Sequence, residues 1–410
     1  MTAEAGAALT ARFAVAQLGA RMHYAVPRIF HRVGRLETLY TDFAAVGAWQ
    51  YLRPLPWRRL WSRTPEGIPA ERIVQFPALA LACALGQRMI GRESRSLRFW
   101  METGRRFGRA VARHGFGGAS AVYAYHSAAL ESFQAARERG LFCVLEQAVA
   151  PRSVLWRILA DEAEAWPEWE GPAEPDSSGF AAREAAEWAL ADRIVCGSQF
   201  VADSLGRAGA PVERCAVVPY GVDWLGGAKE ARGARSAPSA SGAAGLRVLF
   251  CGAVGLRKGV PYLLDAARRL SRHRFQFRLV GAAPLPPRIL RELARLSELT
   301  GSVPRPDMAA HYRWADVFVL PALCEGSATV CYEALAAGLP VITTPNAGSV
   351  VRDGVDGFLV PIRDAGAIAS RLELLASSPE LRAEMSRNAA ARAREFTVAA
   401  YGERLLAALA

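Results

Sequence analysis

Residues 325–343 read EGSATVCYEALAAGLPVIT. The stretch opens on Glu325 and Gly326, and a second carboxylate, Glu333, follows eight positions after the first. The ALAAG run reads as a helix end at Gly338, where glycine takes left-handed backbone at little steric cost. Pro340 forbids the helix from continuing. Val341 and Ile342 start a β-branched strand. The unit is therefore loop, short helix, turn and buried strand. A loop running into a helix leaves backbone N–H groups unpaired, and these favour an anion such as a phosphate. Glu325 falls in the loop, at the reacting end of a ligand. Glu333 falls within the helix, and its two acceptor oxygens suit a ribose or sugar diol. Taken alone, an EG pair is better read as a capped helix with solvated glutamates.

A second constellation lies at residues 252–259, GAVGLRKG, directly after the strand expected over Leu246–Cys251. Glycines let backbone approach a phosphate, and Arg257 and Lys258 supply charge to neutralise it. Strands and helices alternate around it. A helix is expected over Val260–Leu270, a strand over Phe277–Gly281, and a short helix plus the strand VFVLP within 303–321. This alternation implies a parallel, doubly wound sheet.

The earlier part of the chain reads similarly. Strands are expected over Arg12–Leu18, Thr38–Tyr40, Ala119–Tyr125 and Leu141–Leu145. Gly19 breaks the first before a helix over Met22–Val33. His126 follows the third strand, and Glu146 and Gln147 follow the fourth. Ligands in open α/β sheets gather at such strand ends. Helices are expected over Ser94–His114 and Ala181–Ala191, with an acidic, Trp- and Pro-rich loop over 161–178. Ser198 caps a helix over Gln199–Ala208. A last helix is expected over Ser386–Ala410.

Taken whole, residues 325–342 closely resemble the donor-binding signature of the retaining glycosyltransferase family 4. Glu325 and Glu333 match its two carboxylates, and residues 333–342 match its AxAxGxPVI tail. Its usual EGFG-type opening is here EGSA. AVVPYGVD at 216–223 and GVDGFLVP at 354–361 are also similar to family segments. The resemblance is good over about residues 190–365 and poor before them.

The resemblance implies an α/β, GT-B fold, with two Rossmann-like doubly wound domains facing across a cleft. An N-terminal acceptor-side domain would span 1–223, a flexible linker or loop 224–245, and a nucleotide-sugar-binding domain 246–385. The C-terminal helix, 386–410, would pack back across both. The implied activity is sugar transfer from a nucleoside diphosphate sugar to an acceptor hydroxyl, with retention. Glu325, Arg257 and Lys258 would be catalytic. Glu333, Gly252, Gly255, Gly326, Ser327, Ala328 and Thr329 would bind the donor. Gly19, His126 and Glu146 would face the acceptor side. No DxD lies near these motifs, so neither a metal nor a cofactor is expected.

Two departures keep an alternative open, a non-catalytic sugar-nucleotide or glycan-binding protein. Ala253 stands where family members often carry Arg, and Glu146 where many place a histidine. A phosphorylase would need a pyridoxal lysine, and both lysines, Lys229 and Lys258, fall in the linker and the phosphate loop.

The 410 residues are enough for two domains of ordinary size. No apolar run reaches about 18 residues; the best, Phe76–Leu85, is too short to span a bilayer. No signal-peptide pattern opens the chain. Seven cysteines without a CxxC pair read as buried free thiols in a reducing cytosol. The net charge of +11 is concentrated: residues 1–120 hold 18 Arg against 7 acidic residues. One reading is compositional bias with solvated charges. The other is a basic face, including WRRLW at 57–61, that meets an anionic acceptor or membrane surface. The protein is thus expected in the cytoplasm or peripherally at the inner face of the membrane. Its acceptor would be a glycan, a lipid-linked sugar or a small molecule. No nucleic-acid module accompanies the charge.

Overall fold

A computed structural model describes residues 11–47, 63–89, 94–169, 179–223 and 245–410. The linker expected over 224–245, apart from Gly245, and the WRRLW run lie outside the described residues, as do residues 170–178 of the expected acidic loop.

Two parallel sheets organise the chain. The first contains β1 (Phe13–Gln17), β2 (Leu36–Thr41), β3 (Ile73–Gln75), β4 (Ala121–Tyr125), β5 (Phe142–Gln147), β6 (Arg193–Cys196) and β7 (Cys215–Val217). Its order is β3-β2-β1-β4-β5-β6-β7. The second contains β8 (Leu246–Cys251), β9 (Phe275–Val280), β10 (Ser297–Gly301), β11 (Val317–Leu320), β12 (Val341–Thr343) and β13 (Gly357–Leu359). Its order is β10-β9-β8-β11-β12-β13. Every residue of β1, β4 and β11 is buried, as strands covered by helices on both faces must be. In each sheet the order reverses beside the first strand, at β1/β4 and β8/β11. Crevices for ligands open at such switch points, beyond the carboxyl ends of the strands. The two Rossmann-like α/β domains expected from the sequence are therefore both present.

In the first domain the helices are α1 (Ala25–Arg32), α2 (Pro77–Met89), α3 (Ser94–His114), α4 (Leu130–Arg137), α5 (Arg152–Ala165), α6 (Phe180–Leu190) and α7 (Gln199–Arg207). They are followed by α8 (Val260–Arg269), α9 (Pro287–Leu296), α10 (Met308–Trp314), α11 (Thr329–Ala336), α12 (Ala365–Ser377), α13 (Pro379–Ala393) and α14 (Val398–Ala408).

Four local expectations are corrected. The helix expected from Met22 starts at Ala25, because Met22, His23 and Tyr24 are all left-handed, at φ 45, 51 and 60°. Such backbone costs about 1–2 kcal/mol per residue. Polar contacts hold it: Gln17 Nε2 donates to the carbonyls of Gly19 and Arg21, and the Tyr24 hydroxyl donates to Phe43 O. Glu146 and Gln147 are the last residues of β5 and do not follow it. The first five residues of the expected acidic loop, 161–165, belong to helix, since α5 runs to Ala165.

The last helix is broken at Thr397, which is extended and whose hydroxyl caps α14 by accepting from Ala400 N. Two chain crossings meet at this break. Val222 N–H donates to Phe396 O at 2.9 Å, and Asp223 accepts from Val398 N–H. Beyond it, Tyr401, Leu405 and Leu409 join Phe13, Tyr24 and Ile29 in the first domain's core. Tyr332 of α11 enters the same cluster, against Phe396.

Candidate active site

The loop after β8 folds around its lysine. Gly252 has a φ of 141°, and a Cβ there would lie 3.2 Å from Lys258 Cε. Leu256–Lys258 form one 3-10 turn, and α8 follows. Gly255 is extended backbone that any residue adopts. Lys258 is buried at 8% exposure.

The EGSA loop closes over this turn. Leu323 N–H donates to Arg257 O at 2.9 Å, and Arg257 Nη1 donates to Cys324 O at 3.3 Å. Glu325 Oε1 then lies 2.6 Å from Arg257 Nη1 and 2.8 Å from Lys258 Nζ. Both contacts are ion pairs. The three residues expected to be catalytic, from motifs far apart in sequence, are thus one cluster.

The rest of the loop seats the two domains together. A Cβ on Gly326 would fall 1.8 Å from Ala148 O of the first domain. Ser198, the α7 cap, donates to Gly326 O. Ser327 is turned inward, to the Tyr332 hydroxyl at 2.7 Å and Gly348 O at 3.2 Å. Ala328 precedes α11 and offers it no side-chain cap.

Thr329 and Glu333 line a cleft of about 1070 Å³ between the domains. Glu333 is 5% exposed. Its Oε1 accepts from Arg305 Nη1 at 3.0 Å and its Oε2 from the Tyr312 hydroxyl at 2.8 Å. Each oxygen keeps acceptor capacity after one bond. Facing it across the cleft are Met22, His23, Arg28 and Arg63. Arg63 is paired with Asp42 at 2.7 Å, and Asp42 also accepts from Gly19 N–H. Gly19 thus shapes the loop while its neighbours Ala20, Met22 and His23 form the wall. Burial, then Arg305 and Arg28, lower the His23 pKa, so its ring is neutral at pH 7.

His126 is buried at the end of β4, where Nδ1 accepts from Ala148 N–H at 3.2 Å. The proton of the neutral ring is therefore on Nε2. Burial, then Arg21, push its pKa down to about 3. The same Ala148 meets Gly326, so a single residue separates His126 from the EGSA loop. Glu146 is elsewhere. Its carboxylate is 1% exposed and accepts from the Tyr123 and Tyr220 hydroxyls, each at 2.6 Å. Burial raises its pKa, and it does not line the cleft described above. Its strand places it among tyrosines at the domain junction.

Arg305, Tyr312, His23 and Arg28 were missed in the sequence. Only the strand–Gly opening before His23 hinted at one of them. Among the described residues, no three His, Cys, Asp or Glu side chains are grouped to hold a metal ion.

Residues 245–378 match the family model described as "Glycosyl transferases group 1". The chain carries a glycosyl transferases group 1 domain. Among curated proteins, the chain is 30% identical over 190 residues to a putative colanic acid biosynthesis glycosyltransferase, WcaL, of Salmonella typhimurium, covering 43% of this chain and 45% of that one. It is 35% identical over 240 residues to the D-inositol 3-phosphate glycosyltransferase of Acidothermus cellulolyticus, covering 52% of each. The chain spans about half the length of the curated relatives it matches. Of solved structures, HepE of Anabaena in complex with UDP superposes with a TM-score of 0.61 at 16% identity, over 96% of this chain and 98% of that one. Sucrose-phosphate synthase of Thermosynechococcus elongatus gives 0.67 at 18%, over 96% and 97%. These likenesses give the chain the GT-B fold.

Proposed function

We propose that the protein is a retaining hexosyltransferase that moves a sugar from a nucleoside diphosphate sugar to an acceptor hydroxyl. The observation that carries the reading is Glu325 held between Arg257 and Lys258 at the edge of the interdomain contact. In the free protein the carboxylate pairs with both cations and leaves one net positive charge. A bound diphosphate takes that role and frees Glu325 to orient the sugar ring. As the anomeric C–O bond breaks, charge grows on the diphosphate, and Arg257 and Lys258 stabilise it. One preorganised donor of this kind is worth about 2.7–4 kcal/mol. The acceptor oxygen bonds to the same face of the anomeric carbon, and its proton leaves with the diphosphate. Glu333 holds the ribose. His126, whose ring proton is on Nε2, is a donor for the sugar. No metal or cofactor is required, because side-chain cations carry the neutralisation. Domain packing around Gly326 excludes water that would otherwise hydrolyse the donor.

The test is a thermal-shift and turnover screen across UDP-, GDP- and ADP-sugars. A donor that raises the melting temperature and is hydrolysed or transferred supports the reading. Stabilisation without turnover leaves a binding protein, and no stabilisation by any nucleoside diphosphate overturns the site assignment.

The acceptor side adds a proposal about location. Ala78, Leu81, Ala82 and Leu85 form an exposed apolar stripe on α2, at helical spacing. Trp100 is exposed on α3, together with Arg98, Arg106 and Arg109. Apolar side chains with arginines suit the surface of an anionic bilayer, and we place the protein peripherally there. Among the described residues no helix is long and apolar enough to cross a membrane. Binding to anionic vesicles that falls with salt and is weakened by Leu81→Asp/Leu85→Asp is expected. Equal absence from anionic and neutral vesicles at low salt would leave a soluble acceptor.

A further inference from the structure

Helix α5 belongs to the first domain by sequence and to the second by packing. Its start is tied to the first domain, where Arg152 N–H donates to Glu184 Oε2 at 2.7 Å. By its end it has crossed over. Ala163 and Trp169 are buried in the core that holds Leu256 and Val260. The helix lies against the Leu256–Lys258 turn itself.

The crossing is fastened at one carboxylate. Glu162 is fully buried; its Oε2 accepts from the Tyr262 hydroxyl at 2.8 Å and its Oε1 from Arg363 Nε at 2.6 Å. Arg363 Nη2 also donates to Asp161 at 3.1 Å. Trp166 stands edge-on to the Tyr262 ring at 5.7 Å, and its indole N–H donates to the Tyr262 hydroxyl at 3.3 Å. Tyr262 lies in the first turn of α8, four residues after Lys258. Arg363 has left-handed backbone, with a φ of 66°, which a non-glycine residue keeps only when its surroundings over-determine it.

We propose that residues 152–169 form a strap by which the acceptor-side domain holds the diphosphate loop in its binding geometry, with Glu162 as the positioning residue. The inference rests on Arg257 and Lys258 being the diphosphate ligands. Glu162 reaches no ligand. It fixes Tyr262, Tyr262 fixes the first turn of α8, and that turn fixes the two cations. Since the strap comes from the opposite domain, docking of the domains and affinity for diphosphate share one free energy. A group that only fills space across an interface would affect folding and leave the affinity of folded protein unchanged.

The experiment is calorimetry with UDP and with inorganic pyrophosphate, well below the melting temperature, on the full chain. The variants are Glu162→Gln, Arg363→Ala and the milder Trp166→Phe, which keeps an aromatic ring and loses the indole N–H. Leu293→Ala, in the same core but on α9, serves as the destabilised control. Glu162→Gln and Arg363→Ala are expected to weaken both ligands by about tenfold, within the usual range for linked sites. Trp166→Phe is expected to have a smaller effect in the same direction, and Leu293→Ala none. If wild type binds and the strap variants bind equally well, even with lower melting temperatures, the strap is only structural and the inference falls alone. If wild type binds neither ligand, the diphosphate reading falls and takes this inference with it.

Discussion

Glu333 spends one bond on Arg305 and one on Tyr312 and keeps acceptor capacity at the cleft. Its removal takes away the proposed diol acceptor and the Arg305 contact. Glu333→Ala is expected to weaken the best nucleotide donor by about 1.5–3 kcal/mol, as for a charged hydrogen-bond partner. Calorimetry checks this, and unchanged affinity would remove the ribose assignment. His126 gives a second, independent readout. Its folded pKa of about 3 lies below the ordinary value of 6.5, so between them the unfolded state binds the extra proton. Stability from this group is therefore present above pH 6.5 and lost as pH falls toward 3. Between pH 7 and 4.5 the wild type is expected to lose roughly 2–3 kcal/mol more than His126→Gln, whose amide oxygen still accepts from Ala148. Parallel urea-unfolding stabilities at the two pH values would contradict a buried neutral ring. The glutamates and the RKG cations were legible because their spacing is carried by local turns. Arg305 was not, because it opens a single 3-10 turn after Pro304, too short for periodicity, and meets Glu333 only through the fold. Glu146 was misjudged because β5 continues past Leu145, and the tyrosines that bury its carboxylate are distant in sequence.

The EGSA loop is an element whose shape two domains share. Gly326 is required by its approach to Ala148 O, and no rotamer relieves a Cβ clash with backbone. Gly326→Ala is expected to cost about 1–3 kcal/mol, as overpacking does, and to reduce turnover further, since Glu325 and Ser327 move with it. Urea unfolding and kinetics on one preparation test this; normal values for both would mean the domains do not meet there. Elements with plain signals read well: the β8 range was found without error, and α3 and the capped start of α7 were also found. Two kinds of element were hidden. Edge strands β3 and β10 are short or polar, with little burial to mark them. The turn at Met22–Tyr24 and the break at Thr397 are set by tertiary contacts, against the helical preference of the local residues.

At the scale of the molecule, the two-sheet plan was legible because strands and helices alternate along nearly the whole chain. The way the domains exchange parts was not, since α5 looks like an acidic surface segment and α14 like the tail of a longer helix. The exchange is reciprocal. The first domain sends Trp169 into the second domain's core, and the second returns the chain so that Tyr401, Leu405 and Leu409 complete the first. Neither half holds a full set of core side chains. A chain divided between Asp223 and Gly245 is expected to give two fragments that are insoluble or molten when made alone and that assemble when made together. Co-purification and a single cooperative melting transition would be the measurements, and two separately folded fragments would count against the expectation. On the ribosome this means that the first domain waits. Its sheet can form early, but its interior stays open until α14 has emerged, so removal of α14 would damage the half of the protein made first.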